Sequence, residues 1–383
     1  MKQIEIVYFD AGGGHRAAAN ALKHRIRENG YDWEVNLMNL QELLDSMDIF
    51  RKITRIRLQD IYNLMLKKGW TLGSPQLLVA MHLIIRVLHP IQVKMLRNYW
   101  KKSRPEMVVS VVPNFDRSLY ESLKQEFPTT PFVTILTDFA DYPPHFWIEE
   151  GQDQYFICGT RKAVEQARLL GHSPERVLAA SGMIVNPRFY DLAPVDRAGE
   201  RAKLSLDPAL PTALILFGGQ GSKVMEAIVR RLDASDLKMQ MIAICGHNHR
   251  LEARLRGLKT RMPLHTVGFT REVPHFMQLA DFFIGKPGPG SISEAVHMKL
   301  PVIVEKNVWT LPQERYNADW VEEEGVGIVL RSFDEIVQAV RQILDPARMG
   351  AMKTHLANID NRAVFEIPEM LRGIIGQTPC SPA

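Results

Sequence analysis

Apolar residues fall along this chain in short unbroken runs, separated by stretches in which they recur every three or four positions. Ile4–Phe9, Trp33–Leu37, Met107–Val112, Phe132–Thr137, Tyr155–Cys158 and Val177–Ala180 are runs of the first kind. Strands buried on both faces of a parallel sheet need such runs, because neither face can carry polar groups. Helical spacing lies between them, at Ala17–Arg27, Phe115–Phe127 and Arg161–Leu169. The alternation then restarts with strand-like runs at Ala213–Phe217, Met239–Cys245, Leu264–Phe269, Ala280–Ile284, Pro301–Val304 and Gly325–Leu330. Helices are expected at Lys223–Leu232, Glu272–Leu279 and Ser291–Met298, from Leu311 onward, and at Phe333–Leu344, Met349–Asn358 and Phe365–Ile375. The pattern predicts an α/β protein of two halves, as a chain of 383 residues allows. Ser181-Gly182-Met183-Ile184-Val185-Asn186-Pro187 reads as the crossing, giving domains at 1–185 and 186–358 with a terminal helix at about 360–377 able to pack back on the first.

Two stretches break this rhythm. Ile49, Phe50, Ile53, Ile56, Ile61, Leu64, Met65 and Leu66 recur at helical spacing, and a second long helical pattern runs from Leu77 to Trp100, interrupted at Pro90. Charge changes the picture here. The net charge of +4 conceals a basic segment: from Ile49 to Arg104 twelve cations, among them Arg51, Lys52, Arg55, Lys67, Lys68, Lys101 and Lys102, stand against Asp60 alone. Basic amphipathic helices can lie on an anionic membrane surface. They can equally be ordinary helices packed on a sheet with solvated basic faces. No nucleic-acid-binding motif accompanies them. Cys158, Cys245 and Cys380 have no metal spacing and suit a reduced compartment. Lys2 leads directly into the first strand-like run, and the most apolar stretch, Leu77–Leu88, is too short to span a bilayer. A peripheral protein at the cytoplasmic face of a membrane is therefore expected, without signal peptide or transmembrane helix.

Candidate chemistry lies in the turns that follow strands. Gly285-Lys286-Pro287-Gly288-Pro289-Gly290-Ser291-Ile292-Ser293-Glu294 joins a strand to a helix; glycines admit close backbone approach, and the unpaired amides of the first helical turn favour an anion. Glu294 repels a phosphate but can accept bonds from a sugar diol beside one, so the pair suggests a nucleotide. A capped helix with a favourable first-turn acid is the plainer alternative. Gly218-Gly219-Gln220-Gly221-Ser222 is a second backbone cradle. Gly12-Gly13-Gly14-His15 sets a histidine at a helix start, either a general base or a polar group filling that position. Asp138, His145 and Trp147 follow another strand and either line an acceptor site or shape a proline-rich loop. His247 and His249 read as a loop rather than a metal site.

Taken in order, Gly12-Gly13-Gly14-His15, Gly218 to Ser222, Gly268-Phe269, Gly285 to Glu294 and Gln313-Glu314-Arg315-Tyr316-Asn317 resemble the GT-B glycosyltransferases. The likeness is to the monogalactosyldiacylglycerol synthase and processive diacylglycerol glucosyltransferase group, related to the peptidoglycan N-acetylglucosaminyltransferase. It implies two Rossmann-like domains facing a cleft, with a UDP-sugar donor on the second and a lipid acceptor on the first. His15 matches the proposed base, with Gly13, Gly14, Asp138, His145 and Trp147 in the acceptor region. Phe269 and Thr270 match the turn flanking uracil. Gly219, Gln220, Gly221, Ser222, Gly288, Pro289, Gly290 and Ser291 match the diphosphate loops, Glu294 the ribose carboxylate, and Gln313, Glu314 and Asn317 donor-sugar contacts. The expected function is inverting transfer of a hexose from a UDP-sugar to diacylglycerol on an anionic membrane, with no metal and no cofactor. A polyprenyl or lipopolysaccharide-precursor acceptor, or a nucleotide-sugar epimerase, are the alternatives.

Overall fold

The computed structural model describes residues 1–10, 13–45 and 74–377. The first basic amphipathic stretch, with Arg51, Lys52, Arg55, Lys67 and Lys68, lies outside them. The chain forms two compact units, residues 1–186 with 311–313 and 361–383, and residues 187–310 with 314–360.

The first unit is built on six parallel strands, β1 (Lys2–Tyr8), β2 (Trp33–Asn39), β3 (Met107–Ser110), β4 (Phe132–Ile135), β5 (Tyr155–Cys158) and β6 (Val177–Ala179), in the order β2-β1-β3-β4-β5-β6. Register is set by burial: Ile4, Ile6 and Val7 of β1 face Met107, Val109 and Ser110 of β3, and all are fully buried. Alternation divides β1 between two cores. Ile4 and Ile6 pack with Leu22 and Ile26 of the helix Gly14–Glu28 and with Ile367, Leu371 and Ile374 of the terminal helix Ala363–Gln377. Val7 packs on the other face with Leu96 and Trp100 of the helix Ser74–Ser103 and Leu119 and Leu123 of the helix Asp116–Glu126. Glu5 shares that second face, where the Tyr99 hydroxyl donates to its buried carboxylate at 3.0 Å. The helix Ser74–Ser103 runs through Pro90 rather than stopping there. A proline costs a helix one backbone bond, and flanking turns anchored by buried Val93, Leu96 and Trp100 offset that loss.

The second unit repeats the plan with β7 (Thr212–Leu216), β8 (Gln240–Ile244), β9 (Leu264–Val267), β10 (Phe282–Ile284), β11 (Val302–Glu305) and β12 (Gly327–Leu330), in the order β12-β11-β10-β7-β8-β9. Its core joins Ile215, Ala243 and Ile284 to helix residues Ile228, Val229, Ile336 and Val340. Each sheet has one point where successive connections leave in opposite directions, between β1 and β3 and between β7 and β10. In open α/β sheets that switch point, at the carboxyl ends of the strands, is where ligands bind. Three of the candidate glycine turns hang there, Gly13-Gly14-His15 after β1, Gly218–Ser222 after β7 and Gly285–Glu294 after β10, while Gly268-Phe269 follows the edge strand β9.

Candidate active site

At the first switch point, Gly13 adopts φ 83° and starts the helix that carries His15 in its first turn. Among the described residues nothing lies within 4 Å of where a Cβ would sit on Gly13 or Gly14, so the turn is open at both glycines. His15 Nδ1 lies 3.0 Å from the Thr137 hydroxyl, just after β4. The Trp147 ring stands 5.9 Å away, centroid to centroid. Burial pulls the histidine from about 6.5 down to about 4, against an opposing pull from the Val111 carbonyl. The ring is therefore neutral at working pH and keeps a lone pair for a proton.

Trp147 is itself held rigidly. Its indole N–H donates to Asp138 Oδ2 at 3.0 Å, and its backbone amide to Asp141 Oδ1 at 2.6 Å. Asp141 also accepts from the His145 amide at 2.9 Å and from the Ile148 amide. One buried carboxylate thus closes the loop that seats the indole beside His15. Asp138 and Trp147 are both buried and act as supports for the histidine; His145 is the exposed member, with φ 63° and Glu150 at 4.0 Å. Asp141 was not among the residues singled out from sequence. Its role depends on three amides four to seven positions later, a loop geometry that no spacing rule marks.

At the second switch point the turns are built for close approach. Gly221 (φ 57°) could not carry a side chain, since a Cβ would meet the Cys245 carbonyl at 2.6 Å. The Gly219 carbonyl accepts from the His247 amide at 2.8 Å, and the amides of Gly219, Gln220 and Ser222 have no protein acceptor among the described residues. Gly219 and Gln220 are exposed. Gly288 begins the helix Pro289–His297 with no side-chain cap, so the amides of Gly290 and Ser291 point outward. An anion at either turn would meet backbone N–H groups and a helix's positive end. The Glu294 side chain, one turn into that helix, makes no hydrogen bond or ion pair among the described residues, and burial raises its carboxyl to about 7. A half-buried acid without a partner suits a ligand that donates to it. Phe269 is 52% exposed and stacks on His247 with ring centroids 4.0 Å apart and planes 17° from parallel, a flat shelf sized for a base. Thr270 closes that turn by accepting from the Glu272 amide at 2.9 Å.

The third group of sequence-predicted residues is less open than expected. Asn317 is fully buried, and its amide donates to the Pro287 carbonyl at 2.9 Å, fastening the glycine turn. Glu314 is buried and pairs with Lys286 at 2.6 Å. Gln313 lies partly exposed in the short turn Pro312–Glu314. The two loop histidines also have local roles: His247 stacks on Phe269, and His249 opens the helix His249–Arg256, capped by the Asn248 side chain. That helix was not expected, although asparagine before an apolar-periodic stretch is a start signal.

Known proteins are similar to this chain in sequence and fold. Residues 15–182 match the family model for monogalactosyldiacylglycerol (MGDG) synthase, and residues 212–364 match that for the glycosyltransferase family 28 C-terminal domain. The chain has the GT-B fold, and its two halves are similar to the monogalactosyldiacylglycerol synthase group and to glycosyltransferase family 28. Monogalactosyldiacylglycerol synthase 2, chloroplastic, of Arabidopsis thaliana is 28% identical over 363 residues, covering 88% of this chain and 73% of that protein. The probable monogalactosyldiacylglycerol synthase 3, chloroplastic, of Oryza sativa subsp. japonica is 28% identical over 386 residues, covering 96% and 73%. Among solved structures, the S. aureus MnaA–UDP complex superposes with a TM-score of 0.62 at 14% identity over 100% of both chains. Acinetobacter baumannii MurG gives 0.60 at 12% identity, over 97% of this chain and 100% of that one. These two show the fold, while the family models name the group. In this glycosyltransferase the glycine turns of the second unit fall within the family 28 match and His15 opens the synthase match.

Proposed function

We propose that the enzyme transfers a hexose from a UDP-sugar to the free hydroxyl of diacylglycerol, with inversion at the anomeric carbon. The observation that carries this reading is His15 at the first switch point, held 3.0 Å from the Thr137 hydroxyl and beside the Trp147 ring, paired in the same chain with anion-receptive glycine turns at the second. His15 takes the proton of the attacking hydroxyl, and the departing diphosphate meets the amides around Gly219–Ser222 and Gly290–Ser291. Phe269 stacks on the uracil, and Glu294 accepts from the ribose hydroxyls. Such electrostatic stabilisation fills the role that a metal plays elsewhere, so chelation with EDTA is expected to leave the rate unchanged. An epimerase can share the fold, and only the first half separates it from a lipid transferase. That half carries the synthase match and the basic helix.

The same reading places the enzyme on an anionic membrane. No helix among the described residues is long and apolar enough to cross one. On the helix Ser74–Ser103, Val87 and Ile91 are exposed one turn apart, and Lys94 continues the face. Arg97 and Lys101 reach Glu126 at 2.6 and 3.5 Å, which partly neutralises them and leaves Lys94 and Lys102 as outward cations among the described side chains of this helix. Reversing both charges should weaken binding to phosphatidylglycerol vesicles by at least about tenfold, since each cation near such a surface contributes about 1 kcal/mol. Vesicle binding that ignores both the reversal and salt would contradict the docking.

The function itself is tested with purified protein and diacylglycerol in anionic liposomes, given UDP-glucose, UDP-galactose or UDP-N-acetylglucosamine separately. Sugar entering the lipid phase in step with UDP release is the expected result. UDP release without glycolipid would overturn the acceptor.

A further inference from the structure

We propose that Lys286 supplies the positive charge that binds the donor's diphosphate, and that Glu314 positions it. The proposal rests on the donor role of the second switch point. Lys286 follows β10, and its side chain crosses between the two glycine turns. Its Cε lies 3.2 Å from where a Cβ would sit on Gly288 and 3.8 Å from one on Gly218. The side chain thus stands beside both turns, one from each strand of the switch. Its cation meets Glu314 Oε1 at 2.6 Å. The two partners differ in exposure: the Lys286 side chain is 41% exposed, the Glu314 side chain 11%. The carboxylate is anchored and the ammonium can be reached by a ligand. Lys223, exposed at the start of the helix Val224–Ala234, is the other cation of these turns, and no ion pair holds it in place among the described residues.

The arrangement explains why the carboxylate expected at the donor sugar is instead engaged by a lysine. Glu314 Oε1 orients the cation toward the diphosphate, and Oε2, with no bond among the described residues, is left for a hexose hydroxyl. One side chain then couples recognition of the diphosphate to recognition of the sugar. During transfer the acceptor oxygen forms a bond to the anomeric carbon and its proton passes to His15. The bond from that carbon to the β-phosphate oxygen breaks, and its electron pair stays on the phosphate. Charge builds where Lys286 sits, so its contact strengthens as the bond breaks.

The test is titration calorimetry of uridine, UMP and UDP against the full chain and Lys286→Met, Lys286→Arg and Glu314→Gln, with melting curves to confirm folding. Wild type should prefer UDP to uridine. Lys286→Met should lose about tenfold to hundredfold in UDP affinity, as expected for a charge-assisted contact, with uridine unchanged. Lys286→Arg should keep most of the preference, and Glu314→Gln should lose part of it. UDP affinity in Lys286→Met within threefold of wild type, or an equal loss for uridine, would overturn the proposal. A wild type that shows no preference for UDP would instead overturn the donor-site reading beneath it. Should Lys286→Met fail to fold, Lys286→Arg and Glu314→Gln decide: a preference for UDP undiminished in Glu314→Gln, or abolished in a folded Lys286→Arg, contradicts the assignment.

Discussion

The two switch points of this molecule share a topology and differ in chemistry. After β1 stands a ring that burial keeps neutral, braced by the Thr137 hydroxyl, the Trp147 indole and, behind the indole, Asp138 and Asp141. After β7 and β10 stand bare amides, an ammonium and an acid without a partner. A proton acceptor needs a fixed geometry and a low local charge, which side chains packed from several elements provide. A diphosphate needs close approach to backbone, which glycine provides and any Cβ would prevent. The difference teaches that one α/β frame serves proton transfer or anion binding according to what hangs from the strand ends.

The division can be broken most sharply at its first half. His15→Ala should lower kcat by at least about a hundredfold, the scale of general-base catalysis, with KM for the donor unchanged in steady-state assays. The next effect belongs to the second half: Phe269→Ala should weaken UDP about tenfold, as expected when a stacking platform contributing about 1–3 kcal/mol is removed, while kcat is kept. Asp141→Asn sharpens the contrast. The variant keeps the side chain's volume but replaces one oxygen that accepts from the loop amides with a donor, so kcat should fall several-fold with UDP affinity intact, and near-ultraviolet circular dichroism should report the loosened Trp147.

Glu294 gives the smallest effect and an unusual sign. Its folded-state pKa is raised from about 4.5 to about 7 by burial, so the native state holds its proton over a range in which the unfolded chain has lost it. Stability from this group is present below about 4.5 and falls as pH rises toward 7. Glu294→Gln should therefore stabilise the fold at pH 8 by about 1 kcal/mol after allowance for partial solvation, read as a higher melting temperature, while weakening UDP binding. His15 has the opposite slope. Its depressed pKa means that stability falls as pH drops from about 6.5 to about 4, and His15→Gln should flatten that limb in a melting series.

Much of the frame was legible because strands buried on both faces must read as continuous apolar runs. Tyr155–Cys158 is an example whose limits match the observed strand. The glycine turns were legible because their residues are forced, as at Gly221. The helix Arg197–Lys203 was missed: it is short and largely polar, and is fixed by Arg201, whose buried guanidinium bonds the Leu279 carbonyl and Asp281. The Lys286–Glu314 pair was invisible for a related reason. Its partners are 28 positions apart, and each sits in a motif that suggests a different task. The bond from the Trp147 indole to Asp138 was likewise not legible, because it depends on the loop's closure around Asp141 rather than on residue type.

The division of labour stands or falls on the affinity of His15→Ala for UDP, measured by titration calorimetry at neutral pH. The account predicts a dissociation constant within about twofold of wild type, because the histidine serves the acceptor and not the donor. A tenfold loss would place His15 in donor binding and contradict the separation of the two switch points.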